Sequence, residues 1–142
     1  MMSPPAPSLP SGKTAVLNVL DAESLLELAG WRPFRAGIDI LPLYGTLGEH
    51  ESSAALLRYR PGASVPTHEH PDYEHVVVLK GSQRDAVGTY RRGTLVINSP
   101  GSRHAVTSDD GCVVLVIWNR PVAFVPDEHD PDASEGERSW QP

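Results

Sequence analysis

The sequence has a single cysteine, Cys112, among its 142 residues. That count rules out an intrachain disulfide and any C-x-x-C zinc or redox motif, and it fits a reducing, cytoplasmic setting. No stretch approaches the roughly 20 apolar residues of a membrane-spanning helix, and the proline-rich opening lacks the apolar segment of a secretion signal. Positive charge is scarce too: 12 Lys and Arg against 18 Asp and Glu give a net charge of -6, with a pI near 5.4. Nucleic acid and anionic lipid both require clustered positive charge. The expected partners are therefore small molecules or other proteins, with no nucleic acid and no membrane.

A chain of this length is expected to form one domain, with a core that needs neither disulfide nor metal to be stable. Residues 1–13, rich in proline and serine, read as a disordered arm, and the acidic residues 126–142 as a disordered tail. Between them, residues 21–29 carry an N-cap candidate in Asp21 and a stop in Gly30, which predicts a short helix. Residues 53–60, 75–80, 94–97 and 112–118 are short runs bounded by Gly, Pro and Asp turns, several of them β-branched, so the fold class is all-β, a sandwich or small barrel. Segments 85–88 and 108–111 read as hairpin turns. The uninterrupted apolar run 112–118 predicts a strand covered on both faces. In a single-layer barrel the second cover falls to another subunit, which predicts a homodimer.

The chemistry concentrates in two segments. The first reads Gly62-x5-His68-x-His70-x3-Glu74-x6-Gly81, the second Gly93-x7-Gly101-x2-His104. Residues two apart on an extended chain face the same way, so His68 and His70 form a pair of ligands. Glu74 follows a turn, and His104 arrives from another strand, as a barrel mouth allows. The expectation is one divalent metal ion per chain bound by His68, His70, Glu74 and His104. Imidazole and carboxylate suit Zn, Fe, Mn, Ni or Cu, and no thiolate selects among them. Four protein ligands leave open positions on an octahedral ion but close a tetrahedral zinc site. His75 should point away from Glu74 by strand alternation, and His50 and His129 read as ordinary surface or core residues. Tyr59, Tyr73 and Trp118 are candidates for a substrate pocket, with core packing the plainer reading for Tyr59 and Trp118. Arg58 and Arg60 flank Tyr59 on the opposite face.

These two segments resemble the paired motifs of the cupin superfamily, with Ser99 where the second motif usually has proline and Ser108 where it often has asparagine. The runs 85–90, 99–104 and 108–112 narrow the resemblance to the cupin domain of ChrR-type anti-sigma factors and their free-standing relatives, over roughly residues 16–125. It implies a single-domain cupin (RmlC-like) jelly-roll β-barrel over residues 14–125, in a superfamily whose members are commonly dimers. Three functions are consistent with it. One is a metal-dependent enzyme, dioxygenase-like or another Lewis-acid catalyst acting on a small chelating substrate, with Glu74 bound throughout or released as a catalytic base. Another is a ChrR-like ligand- or redox-sensing domain with zinc, acting on a separate partner. The third is a purely structural metal.

Overall fold

The computed structural model describes residues 12–45 and 51–126, so His50, His129 and nearly all of both predicted arms lie outside the described residues. In chain order the elements are α1 (Ala22–Leu26), β1 (Arg32–Arg35), β2 (Ile38–Tyr44), β3 (Ser53–Tyr59), β4 (Ser64–Glu69), β5 (Glu74–Arg84), β6 (Thr89–Arg91), β7 (Leu95–Asn98), β8 (Arg103–Thr107), β9 (Cys112–Trp118) and β10 (Ala123–Phe124). All described strand pairings are antiparallel. The hydrogen-bonded path β1-β2-β3-β9-β5-β8-β4-β10, with β6 and β7 also on β5, curls into an all-β barrel, the fold class expected from the sequence. Among the described residues no helix is long and apolar enough to cross a membrane.

β5 belongs to both halves of the barrel. Residues Glu74 to Gly81 pair with β9, and Ser82 to Arg84 pair with β6. The bend between them depends on Gly81, whose φ is +73°, a conformation side-chain-bearing residues rarely adopt. A Cβ there would lie 2.0 Å from the Gly111 carbonyl oxygen.

Alternation along β9 divides the apolar residues between two layers. Val114, Val116 and Trp118 face the barrel interior with Ile40, Leu57 and Val78. Each such fully buried side chain contributes about 1.5–3 kcal/mol. Val113 and Leu115 face outward with Leu41, Leu56 and Leu79, and are covered by Leu17, Leu25 and Trp31. Asp21 caps the short helix by accepting from the Ser24 N–H at 3.2 Å, and the Trp31 indole donates to the Leu25 carbonyl at 3.1 Å. The second cover of this part of β9, assigned from sequence to another subunit, thus comes from the chain's own N-terminal segment.

The 85–88 turn does join a hairpin, β5 to β6. The 108–111 segment does not: β8 pairs with β4 and β5 while β9 pairs with β3 and β5, so this turn crosses between the two halves of the barrel. Ser108 is fully buried there, its hydroxyl donating to the Ser82 carbonyl at 2.6 Å.

Candidate metal centre

Strand register assembles the site. β4 and β8 set His68 directly opposite His104, and His70 follows one residue past the end of β4. Glu74 opens β5, between Asn98 of β7 and Trp118 of β9. One ligand atom from each of His68, His70, Glu74 and His104 lies within 4.8 Å of all the others. His68, His70 and Glu74 are buried and His104 is half-buried.

Each imidazole is fixed through Nδ1. His68 Nδ1 donates to the Pro66 carbonyl at 2.9 Å. His70 Nδ1 donates to the Ser102 carbonyl at 3.1 Å and the Ser102 hydroxyl at 2.9 Å, whose own proton goes to the Ser99 carbonyl. His104 Nδ1 donates to Asp85 Oδ2 at 3.0 Å. Carbonyl and carboxylate oxygens only accept, so these bonds put the proton on Nδ1 and leave the Nε2 lone pairs available to a metal.

Glu74 is clamped from both sides. Its Oε2 accepts from the Trp118 indole at 2.7 Å and its Oε1 from the Asn98 amide at 3.0 Å. Oε1 also stands 3.4 Å from His70 Nε2, a buried nitrogen with no hydrogen-bond partner. With His70 neutral, two lone pairs confront each other there, and only a proton or a cation between them makes the contact favourable. That orphaned nitrogen, together with the donor atoms of His68, Glu74 and His104, fits a divalent cation.

The titration of these groups supports ligation. Burial lowers the His68 pKa to about 4, so at neutral pH the ring is uncharged. Burial pushes Glu74 up, yet the carboxyl is held below its usual range, because any positive charge among the imidazoles that surround it favours the carboxylate, the part a bound cation would play.

A narrow pocket open to solvent adjoins the cluster. His68, Glu74 and His104 line it along with apolar Leu57, Val76 and Val116. Tyr59 and Trp118 are both buried in its wall, where Tyr59 neighbours Gln83. Burial raises the Tyr59 pKa well above the usual value, so its hydroxyl stays protonated. Tyr73 is not part of this wall: alternation turns Glu74 inward and both its neighbours outward, and the Tyr73 ring, 46% exposed, stacks on His75. Arg58 is engaged on the outer face with Asp39 at 2.7 Å and over the Trp31 ring, and Arg60 is exposed. At the edge of the site, β10 pairs with β4 so that Phe124 lies opposite His68, the two rings 5.9 Å apart.

Reading the motifs did not single out Asn98, Ser102 or Asp85 as anchors of the ligands. Sequence marks Asp85 as part of a turn and of the 85–90 run, and it does hold the turn, accepting from the Val87 and Gly88 N–H groups.

The profile of the ChrR cupin-like domain family matches residues 25–122. The anti-sigma-E factor ChrR of Cereibacter sphaeroides is 31% identical over 103 residues, covering 70% of this chain and 46% of that protein. The chain therefore spans about half the length of this relative. The crystal structure of Rhodobacter sphaeroides SigE in complex with the anti-sigma ChrR aligns at a TM-score of 0.58 and 28% identity, over 66% of this chain and 50% of that one. An acetylacetone dioxygenase from Acinetobacter johnsonii aligns at a TM-score of 0.68 over 98% of this chain and 93% of its own, a likeness of fold alone at 17% identity.

Proposed function

The chain belongs to the ChrR cupin-like domain family, and from that premise we propose that it is a small metal-dependent enzyme. In this reading His68, His70, Glu74 and His104 hold one divalent ion, and the substrate is a small chelating molecule in the adjoining cavity. The observation that carries the reading is the buried, unpartnered Nε2 of His70 facing Glu74, beside a pocket that opens to solvent.

A divalent ion in this site supplies Lewis acidity to an oxygen of the substrate. The chain's own residues do the rest. Asn98 and Trp118 keep the Glu74 carboxylate in place, which favours a ligand bound throughout over one released as a base. Leu57, Val76 and Val116 receive an apolar substrate body, and the protonated Tyr59 offers a hydrogen bond at the wall. A small 1,3-diketone has this combination of two chelating oxygens and a short apolar body, and thiols and flavonols are the alternatives to screen.

The second reading, a ligand-sensing domain acting on a separate partner, is favoured by the 31% identity to an anti-sigma factor. Cys112 lends no support to a redox version of it: the thiol is buried, which pushes its pKa up to about 11 and leaves it unreactive. A purely structural metal is disfavoured by two apolar clusters that account for the core without the site. The proposal includes a cytoplasmic location, a domain over residues 14–125 and a homodimer. Its contact would be the outer face of β7, where Leu95 and Ile97 are each 55% exposed.

The test is elemental analysis of protein purified without chelators. It is followed by anaerobic Fe(II) reconstitution and an oxygen-electrode screen of diketones, thiols and flavonols, with sedimentation to give the mass. Metal near one per chain with turnover is the expected result. Tightly held zinc without turnover favours the sensor reading, and protein that takes up no metal overturns both.

A further inference from the structure

We infer that Asp85 is a positioning residue for the metal centre, locking His104 in the tautomer that ligates and supplying the negative charge that balances the ion. The inference rests on reading the four-residue cluster as a metal site.

The geometry of Asp85 divides its two oxygens between two tasks. Oδ1 accepts from the Val87 N–H at 2.9 Å, the Gly88 N–H at 3.1 Å and the Tyr90 hydroxyl at 2.9 Å. Oδ2 is thereby aimed at His104 Nδ1, 3.0 Å away, with the side chains 7% and 14% exposed. Such a carboxylate behind a ligating imidazole orients the ring and strengthens its donor nitrogen. The other two rings rest on neutral acceptors, the Pro66 carbonyl for His68 and Ser102 for His70. Among the described residues, Asp85 is the charged anchor of the three.

Charge gives this asymmetry its meaning. A divalent ion with Glu74 as its one anionic ligand leaves a net positive charge in a site whose ligands are mostly buried, and uncompensated buried charge is costly. Asp85, one imidazole away, brings the sum to zero. Among the described residues, Asp85 is the one acid that accepts from an Nδ1 of the three rings.

Asp85→Asn separates these roles from the turn. The amide oxygen can still accept from Val87, Gly88 and Tyr90, whereas the amide nitrogen now faces His104 Nδ1 and donates to it. The imidazole proton must then move to Nε2, the nitrogen turned toward the other ligands, as when the orienting aspartate of a Ser-His-Asp triad is replaced by its amide.

The experiment is a Zn(II) titration of metal-stripped full-length protein against a chromophoric chelator, for the wild type, Asp85→Asn and Ser102→Ala. It is paired with ¹⁵N NMR of the imidazole nitrogens in the metal-free state. We expect Asp85→Asn to weaken zinc binding by about 10–100-fold and to move the His104 proton from Nδ1 to Nε2. Its metal-free melting temperature should stay near wild type, and Ser102→Ala should weaken binding less. Zinc affinity within twofold of wild type in Asp85→Asn overturns the inference. So does a wild-type His104 already protonated on Nε2, a readout that stands even where the variant folds poorly. A wild type that binds no zinc defeats the metal-site reading itself, which distinguishes the two failures.

Discussion

Replacing Trp118 with phenylalanine tests how the centre is tied to the barrel. Trp118 is 1% exposed and its indole donates to Glu74 Oε2 at 2.7 Å. Phenylalanine keeps an aromatic ring in the core but removes the donor. A hydrogen bond to a charged acceptor contributes about 1.5–3 kcal/mol, and the void beside the smaller ring adds roughly 1 kcal/mol. The metal-free variant should therefore lose about 3 kcal/mol. At about 4 °C per kcal/mol for a domain of this size, its melting temperature should fall by about 12 °C. In a Glu74→Ala background the indole has no carboxylate to serve, and the same change should cost roughly 1 kcal/mol, leaving a coupling of about 2 kcal/mol. Calorimetry on the four metal-free proteins measures this cycle. A coupling below about 0.5 kcal/mol, the usual error of additivity, would show that the indole packs in the core without holding the carboxylate.

Three further outcomes follow from the geometry. The folded-state pKa of His68, about 4, lies below the ordinary 6.5, so the unfolded chain binds the extra proton between those values. Stability of the metal-free protein should be full above about pH 6.5 and decline on acidification to about pH 4, by on the order of 3 kcal/mol, with Glu74 acting in the same direction; urea melts unchanged between pH 7 and pH 4.5 would contradict this. Gly81→Ala, with its Cβ driven onto the Gly111 carbonyl oxygen in a left-handed conformation, should cost more than about 1 kcal/mol in chemical denaturation, and a neutral result would mean that β5 need not bend there. Glu74→Ala should lose metal in elemental analysis while its circular dichroism keeps the strand signal; a collapsed spectrum would move the site from function to structure.

How far the sequence could be read depended on how narrowly physics restricted each position. β9 matches its predicted bounds because an uninterrupted apolar run between turn residues has few alternatives, and β3 falls within one residue of its predicted span because Pro61 and Gly62 end it. β2 escaped notice because Asp39 and Pro42 break its pattern, and Pro42 sits at a register shift that accommodates it. The ligand residues stood out because few side chains bind metal and their spacing is constrained. Their anchors did not, since an aspartate in a turn or an asparagine ending a strand is common for local reasons. That Asp85 faces His104 depends on a contact 19 residues apart in the chain. The outer cover of β9 was missed for a related reason: Leu17, Leu25 and Trp31 are too scattered to announce a common surface.

The shortest strand carries a consequence out of proportion to its length. β10 is held by its pairing to Glu69 and His68, by the Val125 N–H on the Thr67 carbonyl at 3.1 Å, and by Arg35 stacked over Phe124 at 4.5 Å. One of its two positions, Phe124, lies opposite the ligand His68. Displacing β10 would uncover β4 beside His68 while the pairing to β8 still held that strand in register, so β10 shields a ligand without positioning it.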